Sequence, residues 1–507
     1  MRNEGVGSWP YRRLRLDPGK AAIVFRDEPL SYARLDERVT RLANALRERG
    51  LRKGDRVALL AKNHPAYLET LFAAGLLGAV FVPLNARLTS AEIAYCLRDA
   101  GVAVLVHSEE LAATAIPAVE QAGTSTRITC DGEPDGGSTG YEAAIAAASD
   151  ERLDEPVGHD DPCFIMYTSG TTGRPKGVVL THGNITFAAL NPIIDLDLTS
   201  DEVALVCAPL FHTAALDFVS LPALLKGGTV HVEEGFDPER VLAVIERAGV
   251  TYTFGVPTMF DKLTQHANWP DADLSSLRRV VVAAAPVPPR TLRRYTDRGV
   301  KICQAYGLTE TGPGALILTP ANVERKLGSA GVPHFFTDVR VVDAEGGRVP
   351  PGERGEIQIS GPNVMREYHE RPDATADAFS DDAWFRSGDI GVADDDGFVS
   401  VVDRAKDVII SGGENIYPAE VEAALLDLPG VESCAVFGVP DDEWGEVPHA
   451  AVVLTGEVRL SERDLAEFLG GRIARYKIPK QFAFLDEVPR NASGKIRKHE
   501  LRERFAK

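Results

Sequence analysis

The sequence predicts an α/β protein with more than one domain, and three observations carry this prediction. A chain of 507 residues is longer than a single hydrophobic core usually organises. Apolar runs typical of buried strands alternate with segments of helical periodicity through the first part of the chain. From Gly331 onward the pattern changes to short strands separated by turns.

The alternation opens with a predicted hairpin, formed by Ala22–Phe25 and Leu30–Tyr32 and turning at Asp27–Glu28. A helix follows from Ala33 to Arg49, with apolar residues at helical spacing: Leu35, Val39, Leu42, Ala45 and Leu46. Further strand-like runs occupy 56–61, 79–83, 102–106, 203–207, 229–232 and 251–254. Because helical segments separate these runs, we expect parallel strands in a layered α/β core.

Two smaller regions are predicted after this core. Short strands at Val339–Val342 and Glu356–Ser360 flank a turn rich in proline and glycine, which indicates a small β-barrel-like lobe. Beyond Asp403, strand and helix patterns indicate a compact α+β unit of about a hundred residues, an ordinary domain size. We therefore predict an N-terminal domain over 1–403 and a C-terminal domain over 404–507.

Composition excludes several classes of function. The formal net charge of −19 and the pI near 5.1 argue against general nucleic-acid binding, which needs a basic surface. The six cysteines are scattered and include no C-x-x-C pair, so we expect neither a zinc site nor a disulfide framework, and a reducing cytoplasm fits. The apolar stretch Leu71–Leu84 is too short and too glycine-broken to span a bilayer, so no integral membrane contact is expected.

One loop between two apolar runs carries the most chemical information. It reads Thr-Ser-Gly-Thr-Thr-Gly-Arg-Pro-Lys from Thr168 to Lys176, between the runs Cys163–Tyr167 and Val178–Leu180. Glycines let backbone N–H groups approach phosphate oxygens, hydroxyls add donors, and lysine adds a positive charge. The pattern of a Walker A loop does not fit these residues. They predict two strands joined by a phosphate-binding loop, and a polar β-hairpin is the alternative interpretation.

The loop resembles the signature loop of the adenylate-forming superfamily, which includes acyl-CoA synthetases, nonribosomal adenylation domains and luciferases. Further segments match that superfamily in the expected order: Pro209–His212, Ala283–Pro286, Tyr306–Glu310, Ser387–Asp389, Asp403–Arg404, Ser411–Asn415 and Pro489–Lys495. One such motif is weak, whereas an ordered series with plausible spacing is hard to obtain by chance. The resemblance implies that ATP and a carboxylic acid give an acyl-adenylate and pyrophosphate.

The resemblance also implies which residues bind the nucleotide. The phosphates would be held by Thr168, Ser169, Gly170, Thr171, Thr172, Gly173 and Lys176. The rest of the nucleotide would lie against Ala284, Ala285, Pro286, Tyr306, Gly307, Asp389 and Arg404. Asp389 suits the ribose, because an ionised carboxylate accepts hydrogen bonds from two hydroxyls. Its alternative role is to cap the turn before Gly391.

The chemistry explains the implied catalytic residues. Carboxylate and ATP are both anions, so attack at the α-phosphorus needs charge neutralisation. The residues implied are Lys495, Glu310, Thr309, Arg404 and His212. Lys495 would lie between the carboxylate and the α-phosphate, and Glu310 with Thr172 would bind Mg²⁺, which prefers oxygen ligands. For Glu310, a position favoured by a helix dipole is the alternative.

The resemblance implies that the C-terminal domain is mobile. A rotation about Asp403 would withdraw Lys495 and bring Gly412 and Gly413 to the active site for thioester formation with CoA. The alternative for Asp403–Arg404 is a surface ion-pairing site, and the alternative for 489–498 is a solvated basic loop.

The acid is expected to be a fatty or an aryl acid. Phe211 and His212 stand where α-amino-acid-activating domains carry an aspartate for the amino group. The pocket should be lined by Phe211, His212, Ala214, Ala215, Asp217, Phe254, Gly255, Ala283, Ala305, Gly312 and Pro313. These residues are mostly small and apolar, which suits an alkyl chain or a flat ring. The Ala283–Ala285 stretch departs from the glycine-rich form of the motif, and its added methyl groups narrow the predicted acyl pocket.

Asp217 stands out within this pocket, because it lies in the apolar stretch Ala214–Val219. A buried carboxylate without a partner is costly. A helix N-cap or an arginine partner is one interpretation. Contact with an amino or hydroxyl group on an aromatic acid is the other.

Three functions compete. A CoA ligase is favoured, because Gly412–Gly413 and Lys477–Lys480 are retained and no carrier domain is expected after Lys507. The second is a stand-alone adenylating enzyme that passes its activated group to a carrier protein or an amine, or activates another oxyanion for reaction with an aryl amine. The third is a non-catalytic nucleotide-binding protein, which intact motifs make the weakest.

Overall fold

The computed structural model describes residues 2–168, 175–284, 289–411, 414–441, 444–456, 458–470, 472–490 and 496–505. The chain divides into two compact units. The first comprises Met1–Leu327, Gly331–Val339 and Ile359–Phe385, and the second comprises Gly328–Ala330, Arg340–Gln358 and Arg386–Lys507. Both combine helices with sheets, so the predicted α/β class is confirmed. The predicted boundary between 403 and 404 stays a prediction.

The strands are β1 (Ala21–Phe25), β2 (Glu28–Ser31), β3 (Arg56–Leu60), β4 (Val80–Pro83), β5 (Val102–Ser108), β6 (Thr126–Cys130), β7 (Thr139–Gly140), β8 (Pro162–Thr168), β9 (Lys176–Thr181), β10 (Val203–Val206), β11 (Thr229–Val232), β12 (Tyr252–Gly255), β13 (Arg279–Val282), β14 (Ile302–Tyr306), β15 (Leu316–Leu318), β16 (Val332–Pro333), β17 (Asp338–Val342), β18 (Arg354–Ser360), β19 (Glu367–Tyr368), β20 (Phe385–Ala393), β21 (Val399–Arg404), β22 (Ile409–Ser411), β23 (Glu414–Ile416), β24 (Val431–Asp441), β25 (Gly445–Leu454) and β26 (Gln481–Phe484).

The α-helices are α1 (Trp9–Leu14), α2 (Tyr32–Glu48), α3 (Ala66–Leu77), α4 (Ser90–Asp99), α5 (Ala112–Ala122), α6 (Tyr141–Ala147), α7 (His182–Asp195), α8 (Leu221–Lys226), α9 (Pro238–Ala248), α10 (Pro257–Gln265), α11 (Pro289–Thr296), α12 (Pro372–Ala378), α13 (Pro418–Leu426), α14 (Glu462–Gly470) and α15 (Lys498–Phe505).

The first unit contains a nine-stranded sheet in the order β16-β15-β14-β13-β12-β10-β11-β1-β2. Its central pairs are parallel, from β1 with β11 through to β13 with β14, as the alternation predicts. Glu28 pairs with Phe25, so the β1–β2 hairpin turns at Arg26 and Asp27. Both turn residues lie in the left-handed region of φ. The predicted turn at Asp27–Glu28 is therefore one residue late.

The second sheet of this unit has eight strands in the order β19-β9-β8-β4-β3-β5-β6-β7. Strands β4, β3, β5 and β6 pair in parallel. Helix α3 is buried along its whole length, which explains why its sequence is apolar on all sides, and it ends at Gly78 in the left-handed conformation. Strands β8 and β9 form an antiparallel hairpin on the far side of β4.

The second unit contains two further sheets. Strands β17, β18, β20 and β21 form an open sheet in that order, where the sequence indicates a barrel-like lobe. Four strands are too few to close around a core of side chains, which explains the open form. The other sheet has the order β23-β22-β25-β24 with β26 beside β25, and it buries a core shared with α13 and α14. This is the predicted α+β unit, and its mobility stays a prediction.

No described helix combines the length and the apolar character needed to cross a bilayer.

Candidate active site

The hairpin of β8 and β9 presents the predicted phosphate-binding loop at its tip. The ladder extends to its last pair, Thr168 with Lys176, so both residues lie where the strands end. The two predicted strands are therefore present. The loop residues Ser169, Gly170, Thr171, Thr172 and Gly173 lie outside the described residues, and their role stays a prediction.

Tyr368 links this hairpin to the segment that carries Glu310. It belongs to the edge strand β19, which pairs with β9 through Tyr368 and Val178. Its hydroxyl donates to Glu310 Oε1 at 2.8 Å, and Lys176 Nζ lies 5.0 Å from the centre of its ring. Burial, together with the Glu310 carboxylate, raises the pKa of Tyr368. The phenol therefore stays protonated and remains a donor to Glu310.

Glu310 lies in a short 3₁₀ turn, Thr309–Thr311, and not at the start of an α-helix. Its carbonyl accepts a hydrogen bond from the Met365 N–H at 2.7 Å, which fixes the turn beside β19. Before the turn, Gly307 passes so close to Pro313 that an added Cβ would lie 1.7 Å from the Pro313 oxygen. Only glycine permits this approach of two backbone segments.

Tyr306, Ala305, Gly312 and Pro313 surround that turn. Tyr306 and Ala305 end β14 and pair with Leu316 and Ile317 of β15. Gly312 follows the turn with φ of 55°. These residues lie together at the carboxyl end of β14, which is where ligands bind in parallel sheets.

Ala283 and Ala284 follow β13 at the same edge of the sheet. Ala284 has φ of 75°, a conformation that favours glycine and is strained for a residue with a Cβ. The structure therefore holds an alanine in a backbone shape typical of the glycine-rich form of this motif. Ala285 and Pro286 lie outside the described residues.

His212 and the predicted pocket residues after it lie in and beside an irregular helix. The Phe211 and His212 rings lie 4.6 Å apart, and the His212 carbonyl accepts from the Leu216 N–H at 3.2 Å. A π-helical segment, Ala214–Ser220, begins at once. Such segments are rare and often occur at functional sites.

Asp217 is fully buried within this π-helical segment. Neither of its carboxylate oxygens has a hydrogen-bond partner among the described residues. Burial raises the pKa of Asp217 well above its usual range, which favours the protonated form of the carboxyl group. Within the described chain, neither interpretation that gave it a structural partner, an N-cap or an arginine, is observed.

Phe254 and Gly255 are the last two residues of β12. Both line an apolar cavity whose remaining walls come from α9, α10, α11 and the strands beneath them, including Leu242, Leu263 and Tyr295. No other predicted pocket residue lines this cavity in the described part of the chain. Their strand, β12, also packs against the π-helical segment that carries Ala214 and Ala215.

In the second unit, Asp389 and Arg404 face each other across the β20–β21 ladder. Arg404 Nε donates to Asp389 Oδ1 at 2.7 Å, with the Asp389 side chain almost fully buried and the Arg404 side chain 38% exposed. The Asp389 N–H donates to Ser387 Oγ, whose hydroxyl in turn donates to the Ile357 carbonyl at 2.6 Å. The ion pair thus lies at the last pair of the β20–β21 ladder, where β21 ends.

Asp403 is buried and holds two backbone segments together. Its Oδ1 accepts from the Arg404 N–H at 2.8 Å, and its Oδ2 accepts from the Ala419 N–H at 2.7 Å. Ala419 lies in the first turn of α13, whose free N–H groups need such acceptors. Burial raises the pKa of Asp403. The surface ion-pairing interpretation of Asp403 is therefore wrong, and its role as a hinge stays a prediction.

The comparisons with known proteins agree over nearly the whole length. Residues 11–369 match the family model for the AMP-binding enzyme, and residues 420–495 match the model for the AMP-binding enzyme C-terminal domain. The chain belongs to the AMP-binding enzyme family, the adenylate-forming superfamily of the sequence prediction.

Two curated relatives and one solved structure define its branch. Over 505 residues, all of both chains, this AMP-binding enzyme is 54% identical to a protein from Amycolatopsis sp named feruloyl-CoA synthase. It is 42% identical over 503 residues to indoleacetate–CoA ligase from Aromatoleum aromaticum, covering 99% and 98% of the two chains. ATP-bound MatB from Rhodopseudomonas palustris superposes with a TM-score of 0.91 at 33% identity over 99% of both chains.

This AMP-binding enzyme is an AMP-forming acyl-CoA synthetase. It uses ATP to convert a carboxylic acid to an acyl-adenylate with release of pyrophosphate, and it then transfers the acyl group to CoA. The predicted function is confirmed at this level. The relatives do not favour the alternative in which a carrier protein or an amine receives the activated group.

Several predicted residues of this AMP-binding enzyme lie outside the described part of the chain: Gly412, Gly413 and Lys495, besides the loop residues named above. Conversely, sequence reasoning missed Tyr368 and Ser387 as contributors to the site. Ser387 lies inside a motif that was recognised, so its position was available. Tyr368 is a single aromatic residue on a two-residue edge strand, and nothing in the local pattern distinguishes it.

Proposed function

We propose that this acyl-CoA synthetase activates an aryl acid of the hydroxycinnamic type. The observation that carries the proposal is the 54% identity, over all of both chains, with a protein named feruloyl-CoA synthase. The pocket residues support it. Ala214, Ala215 and Ala305 are small, which leaves room for a flat ring, and buried Asp217 lies in the same π-helical segment as Ala214 and Ala215.

The proposed chemistry has two displacements. A carboxylate oxygen attacks the α-phosphorus, and the bond from that phosphorus to the pyrophosphate oxygen breaks, giving the acyl-adenylate. The CoA sulfur then attacks the acyl carbon, the carbon–oxygen bond to AMP breaks, and the thiol proton passes to solvent. The residues proposed for the first step are Lys495, Lys176 and Arg404, whose positive charges oppose the developing negative charge on phosphate.

Glu310 fits the proposed Mg²⁺ site. Mg²⁺ usually takes one or two protein carboxylates and completes its shell with water and phosphate oxygens. The described residues contain no cluster of three or more metal-ligating side chains, so a single carboxylate beside the phosphates is the arrangement to expect. When bound, the ion neutralises phosphate charge. Tyr368 orients the Glu310 carboxylate through its hydrogen bond to Oε1.

Replacing Tyr368 by phenylalanine should lower the rate of adenylation about three- to thirtyfold, because a hydrogen bond to a partly exposed carboxylate is lost. The loss should appear as a higher KM for MgATP, and it should become smaller as the Mg²⁺ concentration rises. Pyrophosphate release at several Mg²⁺ concentrations measures both effects. Tyr95→Phe is the control, because the Tyr95 hydroxyl donates to the Pro175 carbonyl beside the same hairpin. A Mg²⁺-independent loss would reject the positioning role.

The proposed acid class is tested by pyrophosphate release over a panel of cinnamic, benzoic, indolic and aliphatic acids, with and without CoA. We expect the highest kcat/KM for hydroxycinnamic acids and formation of their CoA thioesters. Aliphatic acids are the informative competitor, because the small, apolar residues of the predicted pocket suit an alkyl chain as well as a flat ring. Preferential turnover of aliphatic acids would replace the proposed acid class and leave the ligase activity intact.

Replacing Asp217 by leucine should stabilise the protein, and more so at high pH. The pKa of Asp217 is raised in the fold, so the folded protein holds a proton that the unfolded chain releases above pH about 4. Stability therefore falls as pH rises between the unfolded and folded pKa values, by up to about 1.4 kcal/mol per pH unit. Thermal midpoints of wild type and variant at about pH 5 and pH 8 measure the difference.

The same variant tests the proposed contact between Asp217 and a polar substituent of the acid. The acid preference of Asp217→Leu and Asp217→Ala should shift away from substituted rings. If the acid preference is unchanged and the stability is higher, Asp217 destabilises the fold and does not select the substrate. Asp36→Leu is a matched control, because Asp36 is buried but paired with Arg152, and its loss should destabilise the protein.

A further inference from the structure

A buried histidine that no sequence motif marks lies close to residues of the predicted acyl pocket. His334 directly follows β16, at the edge of the nine-stranded sheet, and is 1% exposed. Its N–H donates to the Ala315 carbonyl at 3.1 Å, so it lies one strand away from the predicted pocket residues Ala305 and Pro313. No residue role proposed above includes it.

One ring nitrogen of His334 is fixed by a carboxylate. Nδ1 lies 2.5 Å from Oδ2 of Asp195, the last residue of α7. The same oxygen accepts from the Phe335 N–H at 3.3 Å. A carboxylate only accepts hydrogen bonds, so Nδ1 carries the hydrogen, and in a neutral imidazole Nε2 is then an acceptor.

The other ring nitrogen has no hydrogen-bond partner in the described part of the chain. Nε2 is buried and has no hydrogen bond to any described residue. A Cβ built on Gly314 would lie 2.8 Å from Nε2 and 3.3 Å from the Phe218 ring. Gly314 adjoins Gly312 and Pro313, and Phe218 belongs to the π-helical segment that carries Ala214 and Ala215. Nε2 thus lies against Gly314 and near Phe218, which neighbour predicted pocket residues along the chain.

The segment that carries His334 is tied firmly to α7. The Phe336 N–H donates to Asn191 Oδ1 at 3.0 Å, and Asn191 Nδ2 donates to Thr337 Oγ1 at 3.1 Å. The Phe218 ring also meets His334 edge-on, with centroids 5.8 Å apart. The imidazole is therefore held in one orientation before any ligand binds, as a specific hydrogen-bonding group needs.

We infer that His334 Nε2 accepts a hydrogen bond from a ring hydroxyl of the acid and that Asp195 sets the tautomer that makes this possible. A buried acceptor without a partner is costly, and a phenol is a neutral donor that relieves this cost. An apolar ring leaves the acceptor unpaired, and a methoxy group offers only another acceptor. The inference rests on the proposed function, because it requires an aryl acid.

The test compares kcat/KM for 4-hydroxycinnamic, 4-methoxycinnamic and unsubstituted cinnamic acids in the full-length enzyme. Wild type should prefer the hydroxy acid about tenfold to a hundredfold, as for one buried partner left unpaired. His334→Leu and His334→Phe should abolish the preference while keeping turnover of unsubstituted cinnamic acid. Two apolar replacements are used so that one poorly folded variant does not decide the result.

Asp195 variants test whether the acid preference depends on the tautomer of His334 or only on the packing around it. Asp195→Asn keeps an oxygen that both Nδ1–H and the Phe335 N–H can reach, so it should retain part of the preference. Asp195→Ala should lose it. His182→Leu is the matched control. His182 is also fully buried, and its Nε2 has no hydrogen-bond partner among the residues that the structure describes. Its Nδ1 accepts from the Val6 N–H, elsewhere in the unit. Its acid preference should match wild type.

The outcomes are distinguishable. If no cinnamic acid is turned over by wild type, the proposed function fails. If these acids are turned over but the hydroxyl preference is absent, or persists in both His334 variants, the proposed function stands and the role of His334 is wrong. If wild type prefers the hydroxy and the methoxy acid equally over unsubstituted cinnamic acid, Nε2 acts as a donor and the acceptor assignment is wrong.

Discussion

Replacing Lys495 by alanine is expected to lower the rate of adenylation by two to three orders of magnitude, the effect of about 2.7–4 kcal/mol that follows loss of one preorganised electrostatic group. Carboxylate and α-phosphate repel each other as they approach, and Lys495 is proposed to lie between them. The measurement is acid-dependent pyrophosphate release at saturating MgATP. Lys301→Ala is the control, because Lys301 is an exposed lysine paired with Glu324.

The second half of the reaction gives the sharper test. If Lys495 acts only in adenylation, the variant should convert a preformed acyl-adenylate and CoA to the thioester at nearly the wild-type rate. A loss of similar size in both half-reactions would indicate damage to the C-terminal domain and not the removal of a catalytic charge. Unchanged pyrophosphate release would reject the assigned role of Lys495.

The sequence predicts the strands around the signature loop because their residues are apolar and the loop between them is not. The parallel pairing of β3, β4, β5 and β6 can also be predicted from the sequence, since alternating strand and helix patterns allow few other topologies. Motif order also places Asp389 and Arg404. The direct contact between Asp389 and Arg404 cannot be predicted from the sequence, because it depends on the register of β20 against β21.

Other features depend on tertiary packing alone. Tyr368 reaches Glu310 only because the two-residue strand β19 pairs with β9. His334 acquires its partner from the distant end of α7. The π-helical segment around Asp217 has no distinct sequence period, and the absence of a partner for its carboxyl among the described residues becomes visible only after folding. Local propensity cannot report contacts between segments that are far apart in the chain.

Asp389 is the second position where a large effect is expected. Asp389→Asn should raise the KM for ATP about ten- to a hundredfold, because a hydrogen bond to a charged group contributes about 1.5–3 kcal/mol. The change is nearly isosteric, and the asparagine can still accept from Arg404 Nε, which lies 2.7 Å from Asp389 Oδ1. Asp394→Asn is the control, because Asp394 caps an exposed turn after β20.

Deoxynucleotides distinguish ribose binding from a structural role. Wild type should discriminate strongly between ATP and its 2′-deoxy and 3′-deoxy analogues, whereas Asp389→Asn should use all three with similar, weakened affinity. A variant that loses activity but keeps full discrimination would show that Asp389 supports the sheet and does not bind the ribose. Arg404→Gln should destabilise the second unit more than Asp389→Asn does, because it leaves the buried Asp389 carboxylate without its charged partner.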